Sequence, residues 1–464
     1  MRLPDYYLAD VPDDAALTPA MILDACLTLK SNRRRYLAER TTSDLIEVLA
    51  RVAGDWLQPD NPFRALALAD GPEQTGFSRA TIARGLDELF GSITVASLRA
   101  LVAQDLGHRH RLDRLVAPEG DDAGDLPGLA TAMAVGPEFL VHVTGGMLPN
   151  PPITSIVLGL LVRSAQFVKC ARGTSFLPRL FAHSVREVDA KLAACLELAE
   201  WPGGTEKIEA VLWEQADCVT AMGSDETIAS LRRRLPDGVR FLGFGHRASV
   251  GFIAQEVMSP RELPRVVAAA AADVTAWDQL GCLSPHAFYV ETGGRLGAEK
   301  FAEALAAALE AAEVRQPRGP VDALVAADIV SRRAFYEVRA AAGPETRLWQ
   351  SRESTAWTVV YDADPEFQPS CLHRFVHVKA VGDADAMLPG LERMRGRIST
   401  VAVEAPRGKQ AELAVRLARR GVPRICPLGR MQQPPLTWRH DARPALGDLI
   451  TWHECETQGV SPHY

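Results

Sequence analysis

The sequence predicts an α/β protein with a parallel, doubly wound sheet, a second mixed α/β lobe, and a helical region ahead of both. Three observations predict it. Residues 1–125 place apolar side chains at helical spacing and show no strand alternation. From Phe139 short apolar runs alternate with helical ones as far as Phe244, the pattern of a parallel sheet with crossover helices. Beyond Gly251 the chain continues in mixed α/β style. The expected division is a helical region over 1–125, a nucleotide-binding type of domain over 126–250 completed by part of 430–464, and a second α/β domain over 251–430.

The helical region opens with TTSDLIEVLARVAGDWL, which sets Leu45, Val48, Leu49, Val52 and Trp56 on one face, with Thr42 or Ser43 available as N-cap. A second helix follows Ser78, burying Ile82, Leu86, Leu89 and Phe90. The polar, turn-rich stretch Pro118 to Gly128 reads as a linker. The α/β part then runs FLVHVT (strand), TSIVLGLLVRS (helix), AQFVKCA (strand), a long helix through Leu198, DCVTAMG (strand), a helix from Asp225 or Glu226, and VRFLGF (strand). Farther on come an Ala-rich helix from Leu296 to Ala312 and strands near Trp357–Tyr361, Phe375–Val378 and Thr400–Val403.

Composition excludes several function classes. With 47% hydrophobic and 23% charged residues, no large part of the 464-residue chain is expected to be disordered. A net charge of −7 offers no electrostatic footprint for nucleic acid. No segment has the run of about 18 uncharged apolar residues that spans a bilayer, and the start MRLPDYYLADVPDD is too acidic for a secretory signal, so a cytoplasmic location is expected. The eight cysteines show no C-x-x-C pair. At most one or two of them carry chemistry.

Gly223 closes the strand DCVTAM before the helix begun by GSDETI, where a backbone can approach a phosphate; Ser224 or Asp225 capping an ordinary turn is the plainer alternative. Lys169 ends the strand AQFVKC and can reach a nucleotide ribose, with Arg172 three residues on, although both residue types are commonly just solvated. Cys282, in WDQLGCLSPHAFYVE, sits on a loop entering a strand and has the access a nucleophile needs, while a small buried hydrophobe is the usual fate of a free cysteine. Cys371, His373 and His377 would share one strand face in CLHRFVHV, but no fourth ligand is evident, so no metal is assigned.

Lys169, Gly223 and Cys282 occur in the order and spacing of the aldehyde dehydrogenase superfamily. The motifs N-P-P-I-T-S-x4-L-L-V-R-S-A-x2-V-K (Asn150–Lys169), A-D-x5-G-S-D-E-T-I (Ala216–Ile228) and D-Q-L-G-C-L-S-P-H (Asp278–His286) resemble the acyl-CoA reductase, or LuxC, family of bacterial bioluminescence. The closing P-L-x-W-x-H-D around Trp438 to Asp441 belongs to the same likeness. It implies an aldehyde-dehydrogenase-like two-lobed architecture, a Rossmann-like cofactor domain plus an α/β catalytic domain. It also implies Cys282 as nucleophile, Asn150 as oxyanion donor, and Lys169 and Ser224 as cofactor contacts. NAD-selective members of the superfamily tend to carry a glutamate three residues after the lysine; here Arg172 stands there, which implies NADPH.

Two departures from the superfamily pattern carry meaning. Where hydrolytic members carry the E-L-G-G-K glutamate that activates water, this chain reads G-F-G-H-R-A-S, Gly243 to Ser249. A thioester on Cys282 would then persist, and His246, nearest that spot, could serve as acid or base or could simply be bonded within the turn. Five residues after Gly223 stands Ile228 instead of the second cofactor-turn glycine. The resemblance thus implies an NADPH-dependent reductase acting on an acyl thioester, bound to coenzyme A or an acyl carrier, and assembled as a homo-oligomer. The alternatives are aldehyde oxidation to an acyl thioester or acid, and a non-catalytic interaction subunit.

Overall fold

The computed structural model describes residues 3–11, 16–117, 131–146 and 148–456. The expected linker Pro118–Gly128 lies outside the described residues. Five helices, Pro19–Tyr36, Thr42–Trp56, Pro62–Thr75, Arg79–Ser92 and Val95–Leu106, form the front region. Their apolar faces do not close on one another alone. Trp56 stacks on Phe90 at 4.7 Å and Phe90 on Phe181 at 5.9 Å, so the helices share one core with the α/β part. A polar link accompanies the apolar one: the Trp56 indole donates to the Ser184 hydroxyl at 2.7 Å.

Helix caps follow local chemistry. Ser78 accepts from the Thr81 N–H at 3.2 Å, as the sequence predicts. Ser78→Ala is expected to cost about 1 kcal/mol, read as a lower urea midpoint at unchanged slope. The earlier helix is capped by Thr41, one residue before the expected Thr42 or Ser43. The reason is tertiary: the Thr42 N–H and hydroxyl both donate to the Asp113 carboxylate, at 2.9 and 2.8 Å, which turns that side chain inward.

Fourteen strands follow among the described residues, numbered β1 (Thr131–Val135), β2 (Phe139–Val143), β3 (Ala165–Cys170), β4 (Leu196–Glu200), β5 (Cys218–Met222), β6 (Arg240–Phe244), β7 (Ala248–Ile253), β8 (Pro285–Glu291), β9 (Thr346–Gln350), β10 (Thr358–Asp362), β11 (Phe375–Val381), β12 (Ile398–Glu404), β13 (Ile425–Pro427) and β14 (Thr451–Cys455). A five-stranded sheet has the order β4-β3-β2-β5-β6 with every pair parallel. Strand order reverses between β2 and β5, and the carboxyl ends of those two strands flank the crevice where ligands of such sheets bind. A seven-stranded sheet, β13-β12-β7-β8-β11-β10-β9, is parallel except at β9. Its parallel strands, such as β7 and β8, are buried along their whole length, as expected of a sheet covered on both faces.

Two expectations need correction. The long helix through Leu198 is two helices, Phe176–Val188 and Ala190–Ala193, broken at Asp189, and LELAE is strand β4. Pairing of Leu196–Glu200 along Gln166–Cys170 outweighs the helix preference of Leu, Glu and Ala. Cys195 is buried in the turn entering β4. Cys371, His373 and His377 share no strand face, because Leu372, His373 and Arg374 adopt φ of 64, 54 and 66° and β11 begins only at Phe375. Strand β14 pairs antiparallel with β1, and Arg240 of β6 donates to the Ile450 carbonyl at 2.7 Å.

Candidate active site

The carboxyl edge of the five-stranded sheet supplies one wall. A Cβ at Gly145, just past β2, would fall 2.5 Å from the Met222 carbonyl at the end of β5, so glycine there lets the two strand ends meet. Gly223 donates its N–H to the Phe244 carbonyl at 3.2 Å, and the Ser224 hydroxyl caps the helix Asp225–Arg234 by accepting from the Thr227 N–H. Ile228, the departure from the glycine pattern, lies partly buried in that helix.

Lys169 lies near the end of β3 and is only 5% exposed. Its ammonium sits 5.7 Å above the Trp201 ring and makes no hydrogen bond or ion pair among the described residues. Desolvation lowers its pKa, with the Glu209 carboxylate opposing. A largely buried lysine whose ammonium has no protein acceptor is placed to bind a ligand's oxygen. Arg172 is exposed on the following turn and is likewise unengaged by any described residue. Beside it, the Glu200 carboxylate accepts from the N–H groups of Gly173 and Ser175.

The opposite wall carries the thiol. After helix Leu263–Thr275 the chain passes through Trp277, Asp278 and Gln279 with φ of 49, 51 and 67°, reaches Gly281 and Cys282, and enters β8. Three successive left-handed residues other than glycine are unfavourable and need support from their surroundings. Asp278 Oδ1 accepts from Arg374 Nε at 3.0 Å and Nη2 at 2.6 Å, and Oδ2 accepts from the Gly319 N–H at 3.0 Å. Gln279 Nε2 donates to the Pro285 and Phe375 carbonyls at 2.8 and 2.9 Å. The Cys282 carbonyl accepts from the Ser249 hydroxyl at 2.8 Å. A Cβ at Gly281 would meet Gln432 Nε2 at 2.3 Å, so glycine is the residue that admits this neighbour beside the thiol.

Cys282 and Asn150 line one cavity of about 200 Å³. Asn150 is the first residue of helix Asn150–Leu161, and its side-chain oxygen has no hydrogen-bond partner. The remaining walls are mainly apolar: Leu89, Leu148, Leu158, Trp277, Leu436 and Trp438 among them. Met222 and Phe244, neighbours of Gly223 and Gly245, carry the cavity to the carboxyl edge of the sheet. Cys282 is exposed through the opening, yet protein crowds the sulfur enough that desolvation, and then the Asp441 carboxylate, push its thiol up to about 11; Arg247 and Arg424 pull the other way. A thiol so placed is protonated at neutral pH. Its alkylation by iodoacetamide is expected to accelerate about tenfold per pH unit from pH 7 to 9; a flat profile would show the thiol already ionised.

Among the residues singled out in the sequence, Cys282 and Asn150 thus face one space, Gly223 and Ser224 adjoin it, and Lys169 and Arg172 lie at the next strand end. His246 is exposed, donates its backbone N–H to Asp225 at 2.9 Å, and does not line the cavity. The segment Gln432–Leu449 does line it, including His440, and only its W-x-H-D motif drew notice in the sequence, without a role. No helix among the described residues is long and apolar enough to cross a membrane.

A family model described as acyl-CoA reductase (LuxC) matches residues 37–452. The long-chain acyl-protein thioester reductase of Aliivibrio fischeri is 25% identical over 360 residues, 76% of this chain and 70% of that protein. The long-chain acyl-protein thioester reductase 2 of Photobacterium leiognathi is 23% identical over 423 residues, 89% and 82% of the two chains. Among solved structures, an NAD-dependent benzaldehyde dehydrogenase from Corynebacterium glutamicum superposes with a TM-score of 0.70 at 14% identity, covering 97% of this chain and 93% of that one. A bifunctional proline utilization A protein matches with a TM-score of 0.71 at 17% identity, and this chain spans 46% of its length. These likenesses show an aldehyde-dehydrogenase-like fold.

Proposed function

We propose that this chain, which belongs to the acyl-CoA reductase (LuxC) family, reduces an acyl thioester to an aldehyde through a thioester on Cys282. The observation that carries the reading is Cys282 and Asn150 facing one apolar cavity that opens at the carboxyl edge of a parallel sheet. The acyl-protein thioester reductases it resembles support the substrate class. An apolar cavity accommodates an acyl chain through burial, worth about 0.8 kcal/mol per methylene.

A nicotinamide dinucleotide fits the residues present. The unpaired Lys169 ammonium suits ribose hydroxyls, and Gly223 with the N-terminus of helix Asp225–Arg234 suits a pyrophosphate. When bound, such a cofactor would supply the hydride. NADPH is the form favoured by the free Arg172 guanidinium, and Glu200, the nearby carboxylate, is already bonded to two backbone N–H groups. Arg172→Glu is expected to raise the KM for NADPH about tenfold or more, with NADH little affected. Equal effects on the two cofactors would refute a 2′-phosphate role.

The chain's own residues divide the work. The Cys282 sulfur attacks the acyl carbonyl and the carrier thiol departs. The Asn150 amide, with the Cys282 backbone N–H, stabilises the oxyanion in this step and in the collapse that frees the aldehyde. Water must be kept from acting on the acyl enzyme. The two carboxylates lining the cavity are engaged, Glu88 with Arg84 at 2.8 Å and Asp448 with Arg443 at 2.6 Å, so neither is free to activate water. Incubation with a radiolabelled long-chain acyl-CoA tests the reading: label bound through a thioester and discharged as aldehyde on adding NADPH is expected, and free acid as the main product would overturn it.

A further inference from the structure

We infer that His440 is the acid–base group of the Cys282 reaction, with Asp441 as its counter-charge; the assignment rests on the acyl-enzyme reading above. His440 lines the same cavity as Cys282 and Asn150, whereas His246 does not. Its ring stacks on Phe244 at 4.6 Å and 12° and lies 4.7 Å from Trp438 at 33°. Ring contacts of this kind fix the imidazole plane and leave its nitrogens for polar chemistry.

Asp441 supplies the second observation. Its side chain is 7% exposed, and neither carboxylate oxygen has a hydrogen-bond partner. Its nearest described counter-charge is Arg247 Nη2 at 3.2 Å, and its Oδ1 lies 4.0 Å from His440 Nε2. Its backbone is left-handed, φ 51°, followed by Ala442 at 62°. A strained turn that buries a carboxylate without hydrogen bonds is costly and persists where it serves a site. Because Asp441 also acts on the Cys282 thiol, the three groups share one electrostatic neighbourhood. Cys282 and His440 line one cavity, and Asp441 lies beside the imidazole, the residue types of a thiol, imidazole and carboxylate relay.

The proton balance is closed. His440 takes the Cys282 proton as sulfur bonds to the acyl carbon; the carbon–sulfur bond to the carrier breaks; and the imidazolium returns that proton to the departing carrier thiolate. No other co-reactant is required. The charged groups facing His440 are Asp441, Arg247 from the β6–β7 loop, and Arg443. Desolvation first lowers its pKa, Asp441 opposing and the two arginines adding, so the ring is neutral and ready to accept a proton near pH 7.

Single-turnover acylation by a radiolabelled acyl-CoA, followed from pH 5 to 9, tests this. His440→Gln is expected to slow acylation about 100-fold and to remove the acidic limb of the pH profile. His246→Gln should stay within about threefold of wild type, since that ring lies outside the cavity. Asp441→Asn removes the group that supports the imidazolium and should move the acidic limb to lower pH, a shift that a purely structural role would not produce. Label on Cys282 at an unchanged rate and pH profile in His440→Gln overturns the assignment, as does an acidic limb unmoved by Asp441→Asn should His440→Gln fail to fold. Absence of label on the wild-type protein overturns the acyl-enzyme reading itself, a result distinguishable from either.

Discussion

Cys282→Ser is expected to lower acyl-thioester reduction by at least about 10³-fold while leaving the fold intact. The sulfur makes no hydrogen bond among the described residues; the loop is held instead by the Cys282 carbonyl on Ser249, by Gln279, and by Asp278. Exchanging sulfur for oxygen therefore removes little packing. It does remove the proposed nucleophile: a serine hydroxyl ionises far less readily than a thiol even when burial pushes the latter up to about 11. The measurement pairs NADPH consumption with acyl labelling and a urea melt on the same preparation. Label retained undiminished on Cys282→Ser would sink the covalent mechanism. A lost urea transition would assign the defect to folding.

Arg374→Met is expected to destabilise the protein by about 3–5 kcal/mol, a large fraction of a typical domain's stability. Arg374 is fully buried and binds Asp278 twice, at 3.0 and 2.6 Å, and Glu313 at 2.8 Å. Its removal strands the Asp278 carboxylate with a single backbone donor, from Gly319. That carboxylate sits in the left-handed turn that delivers Cys282, so reductase activity should fall together with stability. Urea denaturation gives the first quantity and the acylation rate of the surviving folded protein the second. Adding Asp278→Asn to Arg374→Met should recover part of the loss, because the uncompensated charge is then gone. A loss under about 1 kcal/mol for the single variant would mean that water reaches and solvates Asp278.

Legibility in the sequence followed the range of the interactions. Ser78 and the stripe Ile82, Leu86, Leu89 and Phe90 specify a helix through neighbours three and four residues away, and that helix stands as expected. Strands β2, β3 and β5 are short, mainly apolar runs bounded by turns, the pattern of buried parallel strands. The residues of LELAE favour a helix locally. Only the edge of β3, reached across the Phe176–Val188 helix, makes it a strand. Thr42 similarly offered a cap, and Asp113, distant in sequence, took it instead.

For the candidate site, residue type and motif order point to Cys282, Asn150, Lys169 and Gly223, which stand at a strand end, a loop or a helix start. Which histidine lines the cavity with the thiol is not readable that way. His246 is nearer Cys282 along the chain, but the β6–β7 turn points it outward, while His440 arrives from a segment more than a hundred residues later and packs against Phe244 and Trp438. Periodicity and turn chemistry act over a few residues and so are written in the order of the letters. Left-handed turns, ring contacts and the pairing of Asp278 with Arg374 are sustained by atoms that meet after the chain has closed on itself, and no local pattern announces them.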